Sequence, residues 1–316
     1  MNKRERMFRV LSGPAPSVGV PAAFFLHFDA SCRSGRAAID KHIEFFRFTG
    51  MDFVKIQLEL PFPQMEINGP ADWASLPYLR PEFYEPQIEV VKGLVEALAP
   101  EASVLLTLYS PFMVAAHMGN ALSLAKDLDE APAEAKVALE LATESLLAFV
   151  RMCHRAGLDG FYHSTQGGES RRFQKPETFA TCVKPYDLAL MKEIERTFRF
   201  NILHICDYHR AEVGGYDDLE VFRDYPGHVV NIGPEIGGKT LAMAEIAKIF
   251  GRPVMGGLDR TGILATGAES EVRSAACEAL SKAPERFILG ADCTVPGDTP
   301  WDNLRTAIEV AHGWSR

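Results

Sequence analysis

Long hydrophobic runs are missing from this 316-residue chain. Nothing approaches the about 18–20 consecutive apolar residues that a membrane-spanning helix needs, so no membrane association is expected. Cysteine is scarce and scattered, with six in all. That is too thin for a disulfide framework, and it points to a reducing cytoplasm. The opening MNKRERMFRVL runs from charges straight into a mixed helical pattern, without the apolar segment of a secretory signal. Positive charge is the minority sign: 33 Lys and Arg stand against 42 Asp and Glu, a net −9. Such a chain repels phosphate backbones and anionic lipid, so neither nucleic acid nor a membrane is an expected partner. Internal repeats and low-complexity tracts are absent. The Gly-rich phosphate turn of a dinucleotide-binding sheet is also missing, because HFDASCRSGR follows the first apolar run.

What is present is an alternation of two patterns. Eight short apolar or β-branched runs recur: PAAFFLHF from Pro21, FVKIQLEL from Phe53, SVLLTLYS from Ser103, LDGFYHST from Leu158, NILHIC from Asn201, HVVNIGP from His228, RPVMGGLD from Arg252 and RFILGAD from Arg286. Most are continuous rather than alternating, as in strands buried on both faces of a parallel sheet. Helical periodicity falls between them, at 36–49, 86–98, 133–156, 186–198, 240–250, 269–283 and 301–313. Gly50, Gly157 and Gly251 stand where left-handed C-caps belong. Eight such repeats over this length predict one α/β domain spanning 1–316, a (β/α)8 TIM barrel. Three long connections, 61–86, 111–132 and 164–185, would then lie over the C-terminal ends of the strands. The first holds six of the chain's 20 prolines and is expected to cover the site.

In a barrel the chemistry sits at those C-terminal strand ends. Reading only those positions brings out His27 and Asp29, Glu59, Tyr109, His163, His204 and Cys206, Glu235, Asp259 and Cys293. His204-Ile205-Cys206 is the sharpest feature, since an i, i+2 spacing on a strand puts both side chains on one face. With Cys293, two thiolates and one imidazole make a donor set that selects zinc and leaves a fourth position open. The plainer alternative is that both cysteines are small buried hydrophobes and His204 a bonded core histidine. The segment His163–Glu169, with two glycines and Gln166, is suited either to ligand approach or to an ordinary polar turn.

The start NKRERMFRVLSG with Val20-Pro21, and the long stretch from VMGGLDRTGILATG to GADCTVPGDTPWDNLRTAIEVAH, resemble the uroporphyrinogen decarboxylase superfamily. The resemblance implies a single TIM-type barrel and one of two chemistries. The decarboxylases carry an R-Q-A-G-R run after the first strand, which FFLHFDASCRSGR does not match. The cobalamin-dependent methyltransferase branch, of the methylcobalamin:coenzyme M type, carries H-x-C on one strand and a later Cys in a run like GADCTVPGDTP. His204, Cys206 and Cys293 match it position by position, which implies zinc ligands. Glu235 is the candidate fourth ligand, and His27, Asp29, Tyr109, His163 and Gln166 the expected walls of the substrate pocket. The implied function is methyl transfer between a corrinoid (cobalamin), free or on a corrinoid protein, and a thiol or related small-molecule acceptor. The rivals are a decarboxylase, and a barrel that binds metal or corrinoid without turnover. A homodimer is an open option.

Overall fold

The computed structural model describes residues 2–13 and 19–315. Seven of the eight apolar runs form strands of one parallel sheet. In chain order these are β1 (Phe53–Ile56), β2 (Ser103–Tyr109), β3 (Gly160–Thr165), β4 (Ile202–Ile205) and β5 (Val229–Ile232). A two-residue antiparallel ribbon follows, β6 (Glu235–Ile236) with β7 (Lys239–Thr240). Then come β8 (Val254–Leu258) and β9 (Phe287–Ala291). The sheet order is β1-β2-β3-β4-β5-β8-β9, each strand beside its neighbour in sequence once the ribbon is set aside. The strands are buried almost end to end, because helices cover their outer face and side chains fill the concave one.

The first run behaves differently. Pro21–Leu26 makes only isolated parallel bridges to β9 and its sequel, Ala22 to Leu289 and Leu26 to Val295. Pro21 opens it and cannot donate a ladder bond. Its other side meets the start of β1 through Asp52, whose amide donates to the Ala22 carbonyl at 2.9 Å. The described residues therefore form a curled seven-stranded sheet, with this segment laid along its edge at β9.

The predicted helices are present as Gly35–Thr49, Pro81–Leu98, Pro132–Arg155, Lys184–Thr197, Met243–Phe250, Glu269–Ser281 and Trp301–Gly313. Gly50 and Gly251 cap two of them in the left-handed conformation. The stretch 111–132 is not a loop: it holds the helices Pro111–Met118 and Ala121–Glu130, started by Ser110 and Asn120 side chains that accept backbone N–H groups. Pro111 and Pro132 sit at first helical positions, where proline suits a helix start, so these prolines were starts rather than breaks.

β8 leaves β5 early. Only Val254 and Met255 pair with it. Gly256 and Gly257 follow with φ of +154° and +101°, values an L-residue rarely adopts. The strand thus turns away from β5 and carries Leu258–Thr261 to the rim. Asn231 of β5 closes the gap from inside. Its amide donates to the Met255 and Ala291 carbonyls at 2.9 and 3.0 Å and its oxygen accepts the Tyr162 hydroxyl.

Candidate metal centre

The C-terminal ends of the strands open into a cavity of about 580 Å³. β4 projects His204 and Cys206 from one face, and the segment after β9 brings Cys293 across to them. One ligand atom from each residue lies within 4.8 Å of the others. His204 Nε2 stands 3.3 Å from Cys293 Sγ, and the Tyr162 ring covers the imidazole at 4.8 Å. His204 and Cys206 are buried and Cys293 is half-buried. The His204 Nδ1 atom is buried without a partner. The two thiols act on each other: the neighbouring Cys293 thiol pushes Cys206 below its ordinary value, and Cys206 with burial pushes Cys293 above it. Two thiols and an imidazole turned toward one point fit a zinc ion held by three protein ligands.

The floor of the cavity is polar. Lys55, Gln57 and Thr107 project inward from β1 and β2, and Thr294 reaches them from beside Cys293. The Lys55 ammonium donates to Gln57 Oε1 at 2.9 Å and lies 4.6 Å from the Tyr162 ring centre. It has no carboxylate partner within salt-bridge distance among the described residues. Burial pushes Lys55 down to about 7, against the pull of Cys293, Cys206 and Glu59 toward the charged form. Thr107 donates to Gln57 Oε1 at 3.1 Å, so the glutamine is held from both sides.

The expected pocket residues separate by strand parity. Tyr109 and Gln166 line the cavity, and Gln166 Nε2 reaches Cys206 Sγ at 3.5 Å. His27 lies at its edge, held by Glu59 at 2.7 Å. His163 does not line it. Tyr162, Ser164 and Gln166 point inward, so the residue between them points out; its buried ring has no partner on either nitrogen, and burial pushes it down to about 3. Asp29 is exposed and absent from the lining, because it caps a short turn by accepting the Ser31 amide and hydroxyl. Glu235 is not near the metal ligands. It begins the β6–β7 ribbon, exposed and paired with Arg210, on a neighbouring cavity of about 530 Å³. The expected cover, 61–86, contributes no residue to the lining and backs the His117 wall of the cavity. Phe62 stacks on His117, Gln64 donates to the His117 carbonyl, and Trp73 is buried against Asp127, so the segment is spent on the Pro111–Glu130 helices.

Comparison with protein families matches residues 47–314 to uroporphyrinogen decarboxylase (URO-D). The chain belongs to that family. No curated protein sequence matches it. Among solved structures it is similar to a methyltransferase from Methanosarcina mazei, at 15% identity, covering 98% of both chains with a TM-score of 0.75. It is also similar to a putative vitamin-B12 independent methionine synthase from Listeria monocytogenes, at 17% identity over 88% of this chain and 86% of that one, TM-score 0.56. A B12-independent methionine synthase from Shewanella sp. W3-18-1 follows, at 12% identity over 95% and 94%, TM-score 0.54. At these identities the likeness is one of fold.

Proposed function

We propose that this chain is a zinc-dependent methyltransferase that moves a methyl group between a corrinoid and a thiol or related acceptor. The observation that carries it is the convergence of His204, Cys206 and Cys293 inside the cavity. Zinc bound there would hold an acceptor thiol as its thiolate at neutral pH, where a free thiol of pKa about 8.5 is mostly protonated. His204, Cys206 and Cys293 would hold that ion. Tyr162 and Asn231 fix the imidazole side of the site through the ring contact and the phenol hydrogen bond. Tyr109 and Met113 exclude water from the wall, while Gln57 and Thr107 orient polar groups at the floor. A corrinoid, free or delivered by its own protein, would meet this mouth from outside. The similarity to the Methanosarcina mazei methyltransferase across 98% of both chains supports this reading. Pro21–Leu26 would serve as the eighth position of a (β/α)8 barrel, between β9 and β1. Six free cysteines accord with a reducing cytoplasm, and no helix among the described residues is long and apolar enough to cross a membrane.

The family's own description favours a second reading, decarboxylation of a polycarboxylate. The cavity speaks against it. Arg260 is engaged by two aspartates and His27 by Glu59, which leaves Lys55 as the lysine or arginine of the lining without a carboxylate partner. One such cation is poor provision for several substrate carboxylates. The test is metal analysis of protein purified without chelator, followed by methylcobalamin with a panel of thiols. Zinc at one per chain with thiol-dependent loss of the methyl–cobalt absorbance is expected. Carboxylate loss from uroporphyrinogen, with no methylcobalamin turnover, would overturn the proposal.

A further inference from the structure

The two cysteines of the metal centre are each next to an aspartate in the chain, Asp207 after Cys206 and Asp292 before Cys293. One side chain joins them. Arg260, carried to the rim by the turn of β8, donates from one guanidinium nitrogen to Asp292 at 2.7 Å and to Asp207 at 3.2 Å. Its backbone N–H also donates to the other Asp292 oxygen at 2.7 Å. All three side chains are mostly buried, at 17% exposure for Arg260, 11% for Asp207 and 15% for Asp292. We infer that Arg260 is a positioning residue for the metal centre: it clamps the two cysteine-bearing segments together and so sets the separation of the two sulfurs.

The reasoning is mechanical and electrostatic. Cys206 and Cys293 come from β4 and β9, which are not neighbours in the sheet. No strand ladder therefore fixes the distance between Asp207 and Asp292. The Arg260 guanidinium does so from a single nitrogen, Nη1, which donates to one oxygen of each carboxylate, while the backbone N–H of the same residue fixes the second Asp292 oxygen. The same cation separates two carboxylates that would otherwise repel each other and the thiolates beside them. Space on the far side of Asp207 is tight: a Cβ added at Gly233 would come within 3.1 Å of its other oxygen. Arg210 lies 4.0 Å away from it and is itself taken up by Glu235. Arg260 acts on the metal centre through its two aspartate partners.

The inference rests on the zinc reading, and the experiment separates the two. Zinc affinity is measured by chelator competition for the wild type, R260K, R260Q and D292N. Cobalt substitution supplies a second readout, the intensity and position of the thiolate-to-cobalt absorption. Outer partners of metal ligands are worth about 10–100-fold in affinity. R260Q is expected to lose about that much and to weaken the thiolate-to-cobalt band, with R260K in between. The D292N/R260Q double variant should lose no more than R260Q alone, because the two changes break one clamp. Ethylguanidinium added to R260A should restore part of the band. The metal-free circular dichroism spectrum and melting curve report separately that the variants fold. Wild type without zinc or cobalt binding would sink the zinc reading itself. Wild type that binds, with folded R260Q binding as tightly and giving an unchanged cobalt spectrum, would sink the clamp alone.

Discussion

At the scale of single residues, the sharpest consequences attach to groups that are buried without full partnership. Cys206→Ser and Cys293→Ser each remove a soft donor and keep the shape. Either is expected to lose bound zinc, while metal-free thermal unfolding shifts by no more than about 1 kcal/mol, since the change is nearly isosteric. Metal analysis beside a melting curve checks both halves. Asp187 is a different case. It is fully buried between helix Lys184–Thr197 and β3, with Oδ2 accepting the Thr165 and Tyr225 hydroxyls and Oδ1 unpartnered. Burial pushes its carboxyl up to about 7, against about 3.9 in the unfolded chain. Between those values the folded chain keeps a proton that the unfolded chain has released. Its contribution is therefore fully present below about pH 4 and is lost as pH rises toward 7. Asp187→Asn should flatten that slope and raise stability at pH 7.5, by up to about 4 kcal/mol. Urea denaturation of both proteins at pH 5 and 7.5 decides it, and parallel slopes would count against it.

At the scale of elements, the decisive feature is the turn of β8. Gly257 has φ +101°, and a Cβ there would meet Phe287 Cζ at 3.1 Å and Ala279 Cβ at 3.2 Å. Gly257→Ala is expected to cost about 1–3 kcal/mol from backbone conformation alone. It should also weaken zinc binding, because the displaced strand carries Arg260. Differential scanning calorimetry and chelator competition measure the two effects. The same elements explain what could be read beforehand. Strands buried on both faces show as continuous apolar runs, and seven of the eight were legible for that reason. The first was not, because Pro21 removes a donor and only bridges remain. His204 and Cys206 were legible because period two needs no partner strand to be recognised. Lys55 and Gln57 were missed although they follow the same rule: FVKIQLEL places Lys, Gln and Glu at alternate positions in an otherwise apolar strand. His163 was misassigned by one place in that alternation. Glu235, Asp29 and Arg260 needed the third dimension, since a carboxylate or guanidinium at a strand end looks the same whether it caps a turn, pairs outward or bridges two segments.

At the scale of the whole molecule, the centre joins parts of the sheet that are remote in sequence. His204 and Cys293 are 89 residues apart along the chain. Zinc that binds the folded form and not the unfolded one stabilises it by mass action, about 4 kcal/mol at a free concentration near 1,000 times the dissociation constant. Chelation should thus lower the melting temperature without changing the far-ultraviolet spectrum, because the ligands sit at the cavity rather than in the packed layers. A spectrum that collapses on chelation would show the metal to be structural instead. The separation also sets an order of events in the making of the protein. While the chain is being synthesised, His204 and Cys206 emerge long before β9, and as a pair they offer a loose, two-toothed grip on any ion. Cys293 arrives only after β5, the ribbon and β8 have been laid down. A firm grip on metal would therefore become available late, once the neighbouring strands can hold the third ligand in place. A nascent or truncated chain would be a poor competitor for the cell's zinc, and loading would mark a molecule that has already been finished and folded.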